Sequence, residues 1–216
     1  TVTPIYYQHI CYGYCVSDGS LFALKSELSY LWTVNIGMAL ENIRKWQWIN
    51  RMNEKINRMW KYDMLTQVLN RSGFFYCAET ILQKIKEEKS NAFIIFLDID
   101  GLKSVNDNLG HEIGDAFIAK IAGILKEVVP KDCLIMRYGG DEFVVFGSCK
   151  QAGRMQRIAE DIKAAIKTAD QKENRSYHLA ASLGCSLHKS YEMDNLNSLI
   201  ELADKKMYEE KKNKRR

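Results

Sequence analysis

Proline is nearly absent from this chain, with two residues in 216, at positions 4 and 130. Long helices therefore meet few obligatory breaks. No stretch is long and apolar enough to cross a bilayer, and no signal peptide opens the sequence. The six cysteines (11, 15, 77, 133, 149 and 185) include no CxxC pair and no regular framework. A disulfide scaffold is thereby excluded, and reduced, buried thiols in a cytoplasmic domain are expected. His9, Cys11 and Cys15 lie close in sequence but not at a zinc spacing. Charge of one sign is also scarce. The net value is +4, and the last dozen residues, KKMYEEKKNKRR, supply much of it. The remainder is close to neutral, so no nucleic-acid partner is expected.

What is present is an ordinary globular composition, 46% apolar. The length suits one full domain with an added element, or two small domains. The chain begins TVTPIYY rather than with Met. It reads as a piece of a longer protein, whose membrane attachment, if any, would lie in the missing part.

Residues 5–16, IYYQHICYGYCV, read as one or two strands, with SDG at 17–19 as the turn after them. Residues 20–62 hold no proline and one glycine, Gly37. Apolar residues recur there at helical spacing, and Ile49, Met52, Ile56 and Met59 step by three, four and three. This predicts one long helix or two nearly continuous ones, carrying all four tryptophans. Such a helix packs either on the chain's own strands or on its twin in a homodimer. Pairing is the reading for 43–62, which outruns any sheet that 5–16 could supply.

Beyond 62 the patterns alternate. Helices are predicted at 71–88, 111–128, 153–168 and from about 195, and strands at 92–99, 133–138, 143–148 and 177–187. The middle two strands form a hairpin. The order βαββαβ gives an α+β fold with helices on one face of the sheet. The boundary between an N-terminal piece and this domain falls at 62/63.

Acids gather where strands end. The run FIIFL is continuously apolar, as in a strand covered on both sides, and Asp98 ends it. Asp98 and Asp100 are two apart and so share a face. Taken alone, either could simply cap a helix or start a turn. The hairpin tip, however, reads GGDE. Gly139 and Gly140 suit a tight two-residue turn with positive φ, but that does not account for Asp141 and Glu142 beside a second acidic strand end. Crowded carboxylates repel unless a cation neutralises them. Hard divalent cations, chiefly Mg²⁺, suit an oxygen site completed by a triphosphate.

These residues resemble the GGDEF domain of diguanylate cyclases. Five segments carry the resemblance: DMLTQVLNR (63–71), DIDGLKSVNDNLGHEIGD (98–115), RYGGDEF (137–143), ASLG (181–184) and ADKKMYEEKK (203–212). The resemblance implies a palm-like fold of the nucleotidyl cyclase or ferredoxin-like kind, which agrees with the βαββαβ order. It implies condensation of two GTP molecules, one on each of two facing domains, into cyclic di-GMP and two pyrophosphates. By matching position, Asp98, the carbonyl of Ile99 and Asp141 would hold Mg²⁺, with Mn²⁺ as a substitute. Asp141 or Glu142 would help deprotonate the 3′-hydroxyl. Lys103 would stabilise charge near the phosphates. Asn106 and Asp115, around the short NDNLG turn, match guanine contacts, and His111 matches a substrate-site position. An acid at 115 can accept from N1–H and the exocyclic amine of guanine together, and adenine has no donor at N1. Lys211 and Arg215, four apart on one helical face, match a phosphate-binding pair.

Two departures stand out. The RxxD product site of many relatives corresponds here to PKDC (130–133), so feedback through it is not expected. Gly101-Leu102 replaces a bulkier residue followed by Phe. The N-terminal piece, through NIGMALENIRKW at 35–46, resembles the last strands and exit helix of a GAF-type sensor, which implies an upstream sensor in the full-length protein. The alternative function is a catalytically silent GTP-binding regulatory module. A pure dimerisation module leaves the acids unexplained.

Overall fold

A computed structural model describes residues 2–16, 26–151, 153–172, 177–189 and 196–214. Two compact units divide the chain, Thr1–Arg58 and Met59–Arg216. Among the described residues no helix is long and apolar enough to cross a membrane.

The first unit opens with strands β1 (Val2–Tyr7) and β2 (Ile10–Val16), an antiparallel pair whose register shifts at Ile5/Tyr6. The turn expected at 17–19 and the helix start expected at 20 lie outside the described residues. From Ser26 to Lys61 the chain is a single helix, α1. Gly37 lets the hairpin approach it, because a Cβ there would fall 2.5 Å from the Tyr6 carbonyl oxygen. The Tyr12 hydroxyl donates to Glu41, which Arg44 grips through Nε and Nη2 at 2.8 and 3.0 Å. The Arg44 and Tyr12 hydrogen bonds pull the Glu41 carboxyl down to about 2. Thr33, Gly37 and Glu41 are buried, whereas all four tryptophans and the seam Ile49, Met52, Ile56 and Met59 are exposed.

The second unit is built on a four-stranded antiparallel sheet, β3 (Asn91–Ile99), β4 (Leu134–Arg137), β5 (Glu142–Cys149) and β6 (Ala181–His188), in the order β4-β5-β3-β6. Helices α2 (Arg71–Glu87), α3 (Leu102–Leu109), α4 (His111–Val128), α5 (Arg154–Lys172) and α6 (Leu196–Lys214) surround it. The expected elements are present, but the helices cover both faces and not one. Phe93, Ile95, Leu97, Phe143 and Val145 pack with Phe117, Ile121, Ile158 and Ile162 of α4 and α5. The alternate residues Ile94, Phe96, Val144 and Phe146 pack with Phe74, Ala78, Leu199 and Ala203 of α2 and α6. The continuous apolar run of β3 is the reason: both of its faces need cover. Each large side chain so buried contributes about 1.5–3 kcal/mol.

Strand β6 begins only at Ala181, later than the expected 177. The NDNLG stretch (106–110), expected as a short turn, belongs instead to the helix Leu102–Leu109 as far as Leu109 and gives way at Gly110 (φ 87°) to α4. Gly184 brings β6 against α6, since a Cβ there would lie 2.0 Å from the Ala203 carbonyl oxygen. This close approach sets where the final turns of α6 stand.

Candidate active site

Asp98 lies opposite Glu142 on one side of β3 and opposite Ser182 on the other. Directly opposed residues on antiparallel strands project to one face, here the face covered by α2 and α6. The hairpin tip is hydrogen-bonded to the end of β3, as the Ile99 amide donates to the Asp141 carbonyl at 3.0 Å. The connection is a four-residue one, Tyr138 to Asp141, with the amides of Tyr138 and Gly139 donating to the Glu142 carbonyl at 2.8 and 3.4 Å. Neither Gly139 nor Gly140 has a positive φ, so the expected two-residue turn is not formed. Gly139 serves a steric purpose instead. A Cβ there would lie 2.4 Å from Glu142 Oε2, so only glycine leaves that carboxylate its place.

Arg137 braces the turn. Its Nε and Nη2 donate to the Gly140 carbonyl at 3.2 and 2.7 Å, and its Nη1 reaches both Asp63 oxygens at 3.2 Å. Asp63 also accepts from the amide and hydroxyl of Thr66, at 2.9 and 2.6 Å.

The electrostatics follow from this crowding. Burial pushes the Asp98 carboxyl up, and the charges of Asp141 and Asp100 add to it, although Lys211 of α6 donates a hydrogen bond to Asp98 and opposes the shift. Burial also raises Glu142, helped by Asp141, Asp98 and Asp204. A cavity of about 250 Å³ opens here, bounded by Asp98, Glu142, Asp204, Tyr208 and Lys211. Among the described residues no group of three Asp, Glu, His or Cys side chains could hold a metal ion alone. The donors on offer are oxygens that repel one another. They fit a hard cation whose shell is completed by a ligand's oxygens.

The remaining expected residues lie around the α3–α4 corner. Lys103 is exposed in the first turn of α3, His111 opens α4, and Asp115 is exposed on α4. Asn106 is half-buried, and its amide occupies the space a side chain at Gly114 would need: a Cβ there would meet Asn106 Oδ1 at 1.8 Å. The structure thus brings Asp98, Ile99, Asp141, Glu142 and Lys211 together, and separately brings Asn106 beside the turn that carries Asp115. Arg215 lies outside the described residues.

Sequence reading missed three features. They are the Arg137–Asp63 brace, the approach of Asp204 to Glu142, and the engagement of Asp100 by Ser182 and Lys214. The last had a signal in the spacing: Lys211 and Lys214 are three apart on one helical face, matching two acids two apart on the strand end. At the PKDC stretch, Asp132 accepts from Arg154 Nη2 with both oxygens at 2.7 Å, and burial pushes the Cys133 thiol up to about 11.

Residues 60–216 match the diguanylate cyclase GGDEF domain family, and the chain belongs to that family. Diguanylate cyclase A of Treponema denticola is 29% identical over 199 residues, covering 90% of this chain and 53% of the relative. Diguanylate cyclase VdcA of Vibrio cholerae is 32% identical over 168 residues, 76% of this chain and 48% of the relative. The chain spans about half the length of these curated relatives. Among solved structures, the coiled coil and GGDEF domain of DgcB from Caulobacter crescentus, in complex with c-di-GMP, superposes with a TM-score of 0.72 at 23% identity, over 82% of this chain and 93% of that one. The GGDEF domain of YfiN (TpbB) from Pseudomonas aeruginosa gives 0.61 at 27% identity, over 68% and 92%.

Proposed function

We propose that this chain carries the catalytic domain of a diguanylate cyclase. Two GTP-loaded domains face each other in a homodimer, and each 3′-hydroxyl attacks the α-phosphorus of the other nucleotide. A new P–O ester bond forms, the α–β anhydride bond breaks, and pyrophosphate leaves. Two such steps give cyclic di-GMP and two pyrophosphates. The observation that carries this reading is the convergence of Asp98, Asp141, Glu142 and Lys211 at the tips of β3 and β5 and the last turns of α6.

Asp98, the Ile99 carbonyl and Asp141 would hold Mg²⁺ or Mn²⁺, which when bound supplies charge neutralisation for the triphosphate and polarisation of its oxygens. Asp141 or Glu142 takes the hydroxyl proton. Lys103 and Lys211 steady the negative charge that spreads over the phosphates, with Arg215 in the same role. Asn106 and Asp115 read the guanine edge, and His111 lines the substrate site.

Residues 1–62 we assign to the tail of a GAF-like sensor and a dimerising signalling helix, and 63–216 to the catalytic domain. The exposed seam Ile49, Met52, Ile56 and Met59 supports pairing of α1 with a second copy. The test is chromatography of products from GTP and Mg²⁺ over a range of protein concentrations. Cyclic di-GMP whose specific activity climbs with protein concentration supports the two-domain reaction. GTP binding without any product points to the silent regulatory module.

A further inference from the structure

The two acids of the Asp98-Ile99-Asp100 segment are treated differently by their surroundings. Among the described residues Asp98 meets one cation, Lys211, and otherwise faces other carboxylates. Asp100 is turned to internal partners. Its Oδ1 and Oδ2 accept from the fully buried Ser182 hydroxyl at 2.8 and 3.1 Å, and Oδ2 accepts from Lys214 Nζ at 3.1 Å. Its amide donates to the Ala180 carbonyl at 2.9 Å. Lys214 in turn donates to the Ala181 carbonyl at 2.7 Å and to Ser182 Oγ at 3.2 Å, and pairs with Glu210 at 3.4 Å.

We propose that Asp100, Ser182 and Lys214 form a positioning lock for the reaction centre. None of the three touches substrate. The inference rests on the cyclase reading above, since it concerns what the lock holds in place. On one side it fixes the turn Ile99-Asp100-Gly101, where Gly101 takes a φ of 79°. That turn presents the Ile99 carbonyl and starts α3, the helix of Lys103 and Asn106. On the other side the lock fixes the last turn of α6 and so sets Lys211, one turn earlier, against Asp98. Gly184 at the Ala203–Met207 contact fixes the middle of α6 on β6, and Lys214 ties down its end. The Ser182 hydroxyl is fully buried, the Asp100 carboxylate is only partly exposed, and Lys214 closes the network from the exposed side, so the hydrogen bonds support one another in a stiff joint. A displacement of about 1 Å at a reacting centre can cost about a hundredfold in rate.

The test uses Lys214→Met, Asp100→Asn, their double variant, and Lys214→Arg. Each is measured for thermal stability, for Mn²⁺ affinity in the presence of a non-hydrolysable GTP analogue by electron paramagnetic resonance, and for kcat and KM with GTP. The lock predicts that Lys214→Met and Asp100→Asn each weaken Mn²⁺ binding by about tenfold and lower kcat more than they raise KM. The double variant should be no worse than the worse single, and Lys214→Arg should recover part of the loss. Variants that lose thermal stability yet keep wild-type Mn²⁺ affinity and kcat would reduce the triad to a structural tie and overturn the proposal. A wild type that binds neither Mn²⁺ nor GTP would overturn the cyclase reading itself, which is a separate outcome.

Discussion

Arg137 and Asp63, 74 residues apart in sequence, meet with Nη1 3.2 Å from both carboxylate oxygens, while the same guanidinium holds the Gly140 carbonyl. The start of the second unit and the acidic hairpin tip are thereby one mechanical piece. The residue that follows the end of α1 by two positions reaches the turn that carries Asp141 through a single side chain.

Asp63→Asn should therefore destabilise the protein by about 1–3 kcal/mol, the cost of weakening a charged, partly buried hydrogen-bonded pair. Burial alone would raise the Asp63 carboxyl, but the Thr66 hydrogen bonds and the Arg137 charge outweigh it and hold it below its usual 3.8. With the folded value depressed, the stabilisation is fully present above the ordinary carboxylate range and is lost as pH falls through the folded value. Urea unfolding of wild type and variant from pH 7 to pH 3 should show the gap between them shrinking at the acid end. A gap independent of pH would deny Asp63 this role.

Gly114→Ala should leave the helix intact, since alanine is favoured over glycine in a helix by about 1 kcal/mol. The new methyl occupies the place of the Asn106 amide, so GTP affinity should drop about tenfold or more. Titration with a fluorescent GTP analogue checks this. Unchanged affinity in a folded variant would remove Asn106 from the guanine site.

Ile56→Glu places a charge in the exposed seam of α1. Sedimentation should show a shift from dimer to monomer. Cyclic di-GMP formation should fall at low protein concentration and recover in part at high concentration. A variant that stays dimeric would place the pairing surface elsewhere.

Periodicity made most of the fold readable. The buried faces Phe117, Ile118, Ile121, Leu125 and Met155, Ile158, Ile162, Ile166 follow the helical spacing of apolar residues in the sequence. That helices cover both sheet faces was implied by the unbroken apolar run of β3, but a hydrophobic residue does not say which neighbour covers it. The acids of the candidate site were legible because neighbouring like charges are costly and ask for a reason. Their supports were not. Arg137, Asp63, Ser182 and Lys214 are ordinary polar residues until the sheet register brings them together. The turn at Gly139 was misread because glycine has two uses, and sequence does not tell conformational freedom from the need for empty space.

The most direct measurement is chromatography of the products formed from GTP and Mg²⁺ by the wild-type chain and by Asp141→Ala, with nucleotide binding recorded for both. The account predicts cyclic di-GMP and pyrophosphate from the wild type, and no product from a folded Asp141→Ala. Equal turnover by the two proteins, or GTP bound by the wild type and never converted, would contradict it.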